Sequence, residues 1–251
     1  MIEEKKRFID SVIYPVVFVL IIWLVKIIET FYQTSFYQFG IEPKSVRGLQ
    51  GIFFSPFIHG DFNHLISNTL PLLALGVALF YFYRSIAVKV FFFSWLVTGF
   101  WVWVMARPSF HIGASGLIYS LAGFLFASGV VRKHPRLMAI SLLVVFIYGG
   151  MVWGIFPFKE RVSWESHLMG LLCGLLLAYF FRQHGPQRAK YSWEIEEEME
   201  ELEELAASAA PDTDRISEHM MEPPENNHNK HSHTGEQTIR YIYKKKDNPR
   251  E

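Results

Sequence analysis

Cysteine is nearly absent from this chain. The single thiol, Cys173, sits in an apolar run with no second cysteine to pair with, so the redox compartment stays open. An excess of either charge is also lacking: 24 Lys and Arg stand against 24 Asp and Glu, so the overall charge points to no class of partner, nucleic acid included. A clear small-x-small cleavage site is missing. Lys5, Lys6 and Arg7 precede an apolar stretch, as in a secretory leader, but that stretch outruns a leader's core and carries Trp23 and Lys26. It reads as a retained anchor. Polar residues are scarce before position 184. Hydrophobic residues make up 51% of the chain and aromatic ones 16%, nearly all of them in that part. One soluble core of this length does not use so much apolar matter.

In place of polar sequence there is a series of apolar stretches. A helix crossing a bilayer takes about 20 mostly apolar residues. Six stretches meet that length, some loosely: 12–32, 65–83, 86–105, 113–131, 137–156 and 166–181. The last is short, and Arg182 extends it by snorkelling. The expected fold class is an all-α membrane protein, a six-transmembrane-helix bundle over residues 12–183. A short segment, 1–11, precedes it and a polar tail, 184–251, follows. Basic residues set the orientation. With the N-terminus in the cytoplasm, the inner segments carry Lys5, Lys6, Arg7, Arg84, Arg132, Lys133, Arg136, Arg182, Arg188 and Lys190. The outer loops carry only Lys44, Arg47, Arg107, Lys159 and Arg161. Ten against five favours both termini inside.

That orientation gathers the chemistry. Ser115, in His111-Ile112-Gly113-Ala114-Ser115-Gly116, falls at the outer end of the fourth stretch, and His167 at the outer end of the sixth. The second stretch brings His59, His64 and Asn68 to the same level. A nucleophile and a base are costly to keep in hydrocarbon, so each is a functional-site candidate, and together they suggest peptide hydrolysis within a membrane. His64 and Asn68 are four apart, on one helical face, and both donate hydrogen bonds. Tyr119 lies four after Ser115. His167, Gly170 and Gly174 form a smooth stripe whose Gly-x-x-x-Gly spacing allows close helix packing in lipid. Taken singly, Ser115 reads as a packing residue, and His64 and Asn68 as interhelical polar glue. Their common depth favours the functional reading.

The pattern resembles the rhomboid family of intramembrane serine proteases. The matching residues are His59-x4-His64-x3-Asn68 in the second stretch, Gly113-Ala114-Ser115-Gly116 with Tyr119 in the fourth, and His167-x2-Gly170-x3-Gly174 in the sixth. The resemblance implies that Ser115 is the nucleophile and His167 the general base, a dyad without a carboxylate. It implies an oxyanion hole made of His64, Asn68 and the Ser115 backbone amide, and stacking of Tyr119 on His167. Gly170 and Gly174 would let the catalytic helices touch, Gly113 and Gly116 flank the serine, and His59 has a less direct part. The implied substrates are single-span membrane proteins embedded in the lipid bilayer and cut near the outer face. No cofactor or metal is called for, and the expected location is a bacterial plasma membrane. One departure stands out: many rhomboids carry a Trp-Arg pair in the first outer loop, whereas residues 33–58 hold Arg47 and no Trp. That loop is expected to lie against the membrane through Phe53, Phe54 and Phe57.

Other residues draw blander expectations. Asp61 and Glu165 lie near the constellation without a catalytic role, Glu165 being on a different face from His167. His111 reads as an interfacial side chain, Cys173 as inert packing, and Trp153 as a weak marker of a substrate route between the second and fifth stretches. Ile195, Met199 and Leu202 predict an amphipathic helix over about 191–207, crowded with eight Glu between 194 and 204. A solvated helix is preferred there over one that binds an unknown protein. Beyond Ala210 the composition predicts disorder, and a flexible tail is preferred over metal binding by His228, His231 and His233. Two competing functions are a catalytically silent relative that binds membrane proteins and a six-span transporter. The first would normally lack Ser115 or His167, and the second would spread its polar residues along a path through the bilayer.

Overall fold

The computed structural model describes residues 2–133, 135, 138–139, 142–143, 146, 153–158, 162–185 and 192–209. It divides into two units, Met1–Ala189 and Lys190–Glu251. Among the described residues every regular element is helical. Among the same residues the only extended pairing is an isolated antiparallel bridge between Ile41 and His111.

In the first unit the helices described from end to end include α1 (Ile2–Phe31), the short α2 (Gly51–Phe54), α3 (Phe62–Phe82), α4 (Ala87–Met105), α5 (Ser115–Val131) and α6 (Trp164–Phe180). Three are long and apolar enough to cross a membrane: α1, α3 and α4. α5 and α6 are apolar but shorter, at 17 residues each. The expected fifth stretch, 137–156, lies for the most part outside the described residues. α1 begins ten residues before the apolar stretch at 12–32, because hydropathy marks the hydrocarbon-facing part of a helix and not where its hydrogen bonds stop. Gly113 was expected inside the fourth helix. It lies instead in the turn before α5, at φ +103°, a conformation that an L side chain rarely adopts.

The buried side of the bundle is apolar, with Leu65, Leu72, Leu75 and Leu79 of α3 set among Ile22 of α1 and Leu121, Phe124 and Leu125 of α5. Large apolar side chains also face outward, such as Leu20, Leu70, Phe92 and Phe100. Helices apolar all round suit a lipid surround. The closest approach is between α5 and α6. A Cβ on Gly170 would collide with the carbonyl oxygen of Gly116, and one on Gly174 with that of Ser120. Inside the bundle, Ser120 Oγ donates to Ser94 Oγ of α4 at 2.8 Å, a buried polar link between helices.

The loop 33–58 is held by tryptophans of α4. Trp95 Nε1 donates to Ile52 O and Trp103 Nε1 to Ser45 O, each at 2.8 Å. Phe53 and Phe54 are exposed, as a membrane-facing loop requires. Phe57 corrects the expectation: it turns inward against Phe18 and Trp95, with ring centroids at 5.0 and 5.3 Å. In the second unit, α7 (Ser192–Ala209) exposes Trp193, Ile195, Met199, Leu202 and Leu205 along an acidic helix. The chain beyond residue 209, with His228, His231 and His233, lies outside the described residues.

Candidate active site

Ser115 is the first residue of α5, and the cap position before it is Ala114, whose methyl offers no capping bond. The first amides of the helix therefore keep free N–H donors, and the positive end of the helix dipole, beside the hydroxyl. α6 brings His167 to it: His167 Nε2 lies 2.8 Å from Ser115 Oγ, although 52 positions separate them in the chain. The other ring nitrogen, Nδ1, is 2.8 Å from the carbonyl oxygen of Gly154. A carbonyl only accepts, so Nδ1 carries the proton and the neutral ring presents the Nε2 lone pair to the serine hydroxyl. Tyr119 stacks flat on the imidazole, with centroids 4.2 Å apart and planes 7° from parallel. Ring orientation is thus set by one face and one edge.

The opposite wall comes from α3. Asp61 caps that helix, its carboxylate accepting from the His64 amide at 2.7 Å, and this bond holds its carboxyl below the usual range. The cap fixes the first turn, which carries His64, and Asn68 follows one turn on. Both sit against Gly113: a Cβ there would stand 2.7 Å from His64 Cε1 and 3.7 Å from Asn68 Nδ2. Asn68 is buried, and its Nδ2 makes no hydrogen bond. An idle buried donor costs about 1–3 kcal/mol, so the fold holds an amide ready for an acceptor it does not itself supply. Gly113 is fixed in turn by its own amide, which donates to Ser55 O at 2.8 Å.

His59 stands behind His64, edge to face at 5.0 Å. It is fully buried, and burial, with the nearby His64 ring, pushes its pKa down to about 3. It is a neutral wall and not a proton carrier. Its carbonyl and that of Gly60 accept from Lys26 Nζ at 2.9 and 3.0 Å, while Lys26 also pairs with Glu29 at 3.3 Å. α1 thereby clamps the approach to α3.

A family model described as the Rhomboid domain matches residues 47–184, more than half of the chain. The chain belongs to the rhomboid family. Rhomboids are intramembrane proteases, and family membership together with the apolar helices makes this an integral membrane protein. Similar proteins include an uncharacterized protein of Mycobacterium tuberculosis, 34% identical over 171 residues, covering 64% of this rhomboid and 71% of the relative. Another, from Mycobacterium leprae, is 33% identical over 187 residues, covering 70% and 74% respectively.

Several supports of this rhomboid site were not read from the sequence. The Gly154 carbonyl is backbone and leaves no side-chain signal. Asp61 had one, since an Asp three residues before His64 at the head of an apolar run is a cap pattern. His111 was expected at the interface and is instead buried between the bridge to Ile41 and α6. Its Nε2 faces Arg107 O at 3.2 Å and must donate, so its Nδ1 accepts from Ser163 Oγ, 2.5 Å away. Ser163 Oγ then accepts from Ser166 Oγ, also at 2.5 Å. Burial holds the His111 pKa below its ordinary value. Glu165, next along α6, is buried and pairs with Arg107 at 3.3 Å. These contacts tie the start of α6 to the turn that carries Ser115. Trp153 is exposed, and Cys173 is buried with no other described cysteine.

Proposed function

We propose that this rhomboid is a serine endopeptidase that hydrolyses peptide bonds in or near the membrane-spanning segments of other proteins. Ser115 Oγ attacks the carbonyl while His167 Nε2 takes its proton. The oxyanion is held by the His64 ring, the Asn68 amide and the Ser115 N–H. His167 then protonates the leaving amine, and water resolves the acyl-enzyme. The observation that carries this reading is the 2.8 Å contact of His167 Nε2 with Ser115 Oγ, made on a ring whose other nitrogen is already committed to a carbonyl. The idle Asn68 donor beside Gly113 supports the oxyanion assignment.

The same reading extends to the whole chain. Residues 12–183 form a six-span protease domain, 1–11 and the tail 184–251 are cytoplasmic, and the location is a bacterial plasma membrane. Substrates are single-span membrane proteins whose helix unwinds near the outer face, because a helical segment hides its own peptide bonds. Cleavage of a single-span reporter in membranes tests this. The wild type should release the fragment and Ser115→Ala should not. Intact reporter with a well-folded wild type across several reporters would favour the silent binding relative.

A further inference from the structure

The end of the bundle remote from Ser115 carries an open cleft of about 450 Å³ lined by Arg7, Phe82, Arg84, Ser85 and Gly185. α3 runs 21 residues from the turn that holds His64 to Phe82. At about 1.5 Å per residue this is close to the roughly 30 Å of a hydrocarbon core. The cleft therefore sits one membrane thickness from the Ser115–His167 pair, at the depth of the opposite headgroup layer.

Its charge is not balanced from within. Arg84 pairs with Asp10 at 3.0 Å. Arg7 donates through Nε and Nη2 to Tyr81 O at 3.2 and 2.8 Å, and lies over the Tyr81 ring. A carbonyl satisfies the donors without neutralising the cation. Behind the cleft, Arg132 is 5% exposed and donates to Phe181 O and His184 O, each at 2.6 Å. No carboxylate pairs with it among the described residues, and its Nε makes no hydrogen bond. Tyr83 joins the two layers. Its ring faces Arg132 at 5.3 Å, and a Cβ on Gly185 would stand 2.9 Å from it. Between positions 62 and 159 the chain has no Asp or Glu. Glu3 and Glu4, exposed on the first turn of α1, lie outside ion-pair distance of these guanidiniums. Three guanidiniums thus face one paired carboxylate.

We propose that this cleft binds the headgroup phosphate of an anionic phospholipid. Arg84 keeps donors beyond its bond to Asp10, and a guanidinium matches phosphate geometry. The Ser85 hydroxyl adds a donor, and the Phe82 ring offers an apolar wall to the glycerol carbons. Basic pockets between helices at the cytoplasmic side take such headgroups. A lipid fits better than a free anion because exposed apolar side chains, Phe8 of α1 and Val88 and Phe92 of α4, continue from this end along the hydrocarbon-facing surface. The inference rests on α1, α3 and α4 crossing the bilayer and is independent of catalysis.

The test is native mass spectrometry of the full chain in a neutral detergent, titrated separately with phosphatidylglycerol, phosphatidylcholine and glycerol 3-phosphate. Phosphatidylglycerol should bind at least about ten-fold more tightly than either of the others, and more weakly as salt rises. At about 1 kcal/mol for each basic residue near a lipid surface, Arg84→Gln should cost about five-fold and the Arg7→Gln/Arg84→Gln pair about thirty-fold. Arg47→Gln, exposed in the loop at the other end of α1, should change nothing. If the double variant does not remain monodisperse, Arg84→Gln/Ser85→Ala carries the comparison, since it leaves the Arg7–Tyr81 bond in place. Equal binding of phosphatidylglycerol and phosphatidylcholine, full retention by the variants, or glycerol phosphate binding as tightly as the lipid would overturn the proposal.

Discussion

His167 donates one ring proton to a backbone carbonyl, and that bond decides which nitrogen is basic toward Ser115. The oxyanion donors proposed above, His64 and Asn68, belong to α3 and are separable from the pair by mutation. Asn68→Ala should lower the rate of reporter cleavage about 10²–10³-fold while leaving the serine in place, the usual cost of one such donor. Ser115→Ala should lower it by at least about 10⁴-fold. Gly113→Ala tests the turn: its φ of +103° and the closeness of the His64 ring leave no room for a methyl. Cleavage should fall sharply with helix content by circular dichroism unchanged. His59 and His111, both in segments outside the helices, are held neutral by burial. As pH falls below their unfolded value near 6.5, the unfolded chain takes up protons first. Stability from His59 is complete above that pH and drains away toward pH 3, by up to about 1.4 kcal/mol per pH unit, and His111 adds a loss of the same sign. The melting temperature in detergent should be lower at pH 5 than at pH 7.5, and His59→Gln should shrink the difference. A flat profile would contradict the assignment.

Among the elements, the seam between α5 and α6 positions the site. Gly170→Val forces a branched side chain onto the Gly116 carbonyl, where only a shift of a whole helix gives relief. Overpacking of this kind costs about 1–3 kcal/mol or more, and the contact of His167 with Ser115 should open with it. A lowered melting temperature together with lost cleavage is the expected result, and loss of neither would argue against the seam. Glu165→Gln removes the carboxylate from its pair with Arg107. Because the arginine is partly exposed, the cost should be nearer 1–2 kcal/mol than that of a fully buried pair. The seam itself was legible, since Gly170 and Gly174 sit at close-packing spacing. The clamps around it were not. Arg107–Glu165, His111–Ser163 and Lys26–His59 join residues tens of positions apart with no periodic pattern, and the last ends on a backbone carbonyl that no side chain announces.

At the scale of the whole molecule, apolar length and the depth of the polar residues sufficed to bring Ser115, His167, His59, His64 and Asn68 to one level, and the stacking of Tyr119 on His167 followed from the family resemblance. They did not reveal how the loop 33–58 is held. Without a Trp of its own, the loop borrows Trp95 and Trp103 from α4, and such a partner across 43 or 58 positions is invisible to local reading. The central claim is that the hydroxyl of Ser115, activated by His167, is a nucleophile. Labelling of the detergent-solubilised protein with a fluorophosphonate probe measures this most directly. The account predicts a strong signal from the wild type, none from Ser115→Ala and little from His167→Ala; equal labelling of all three would contradict it.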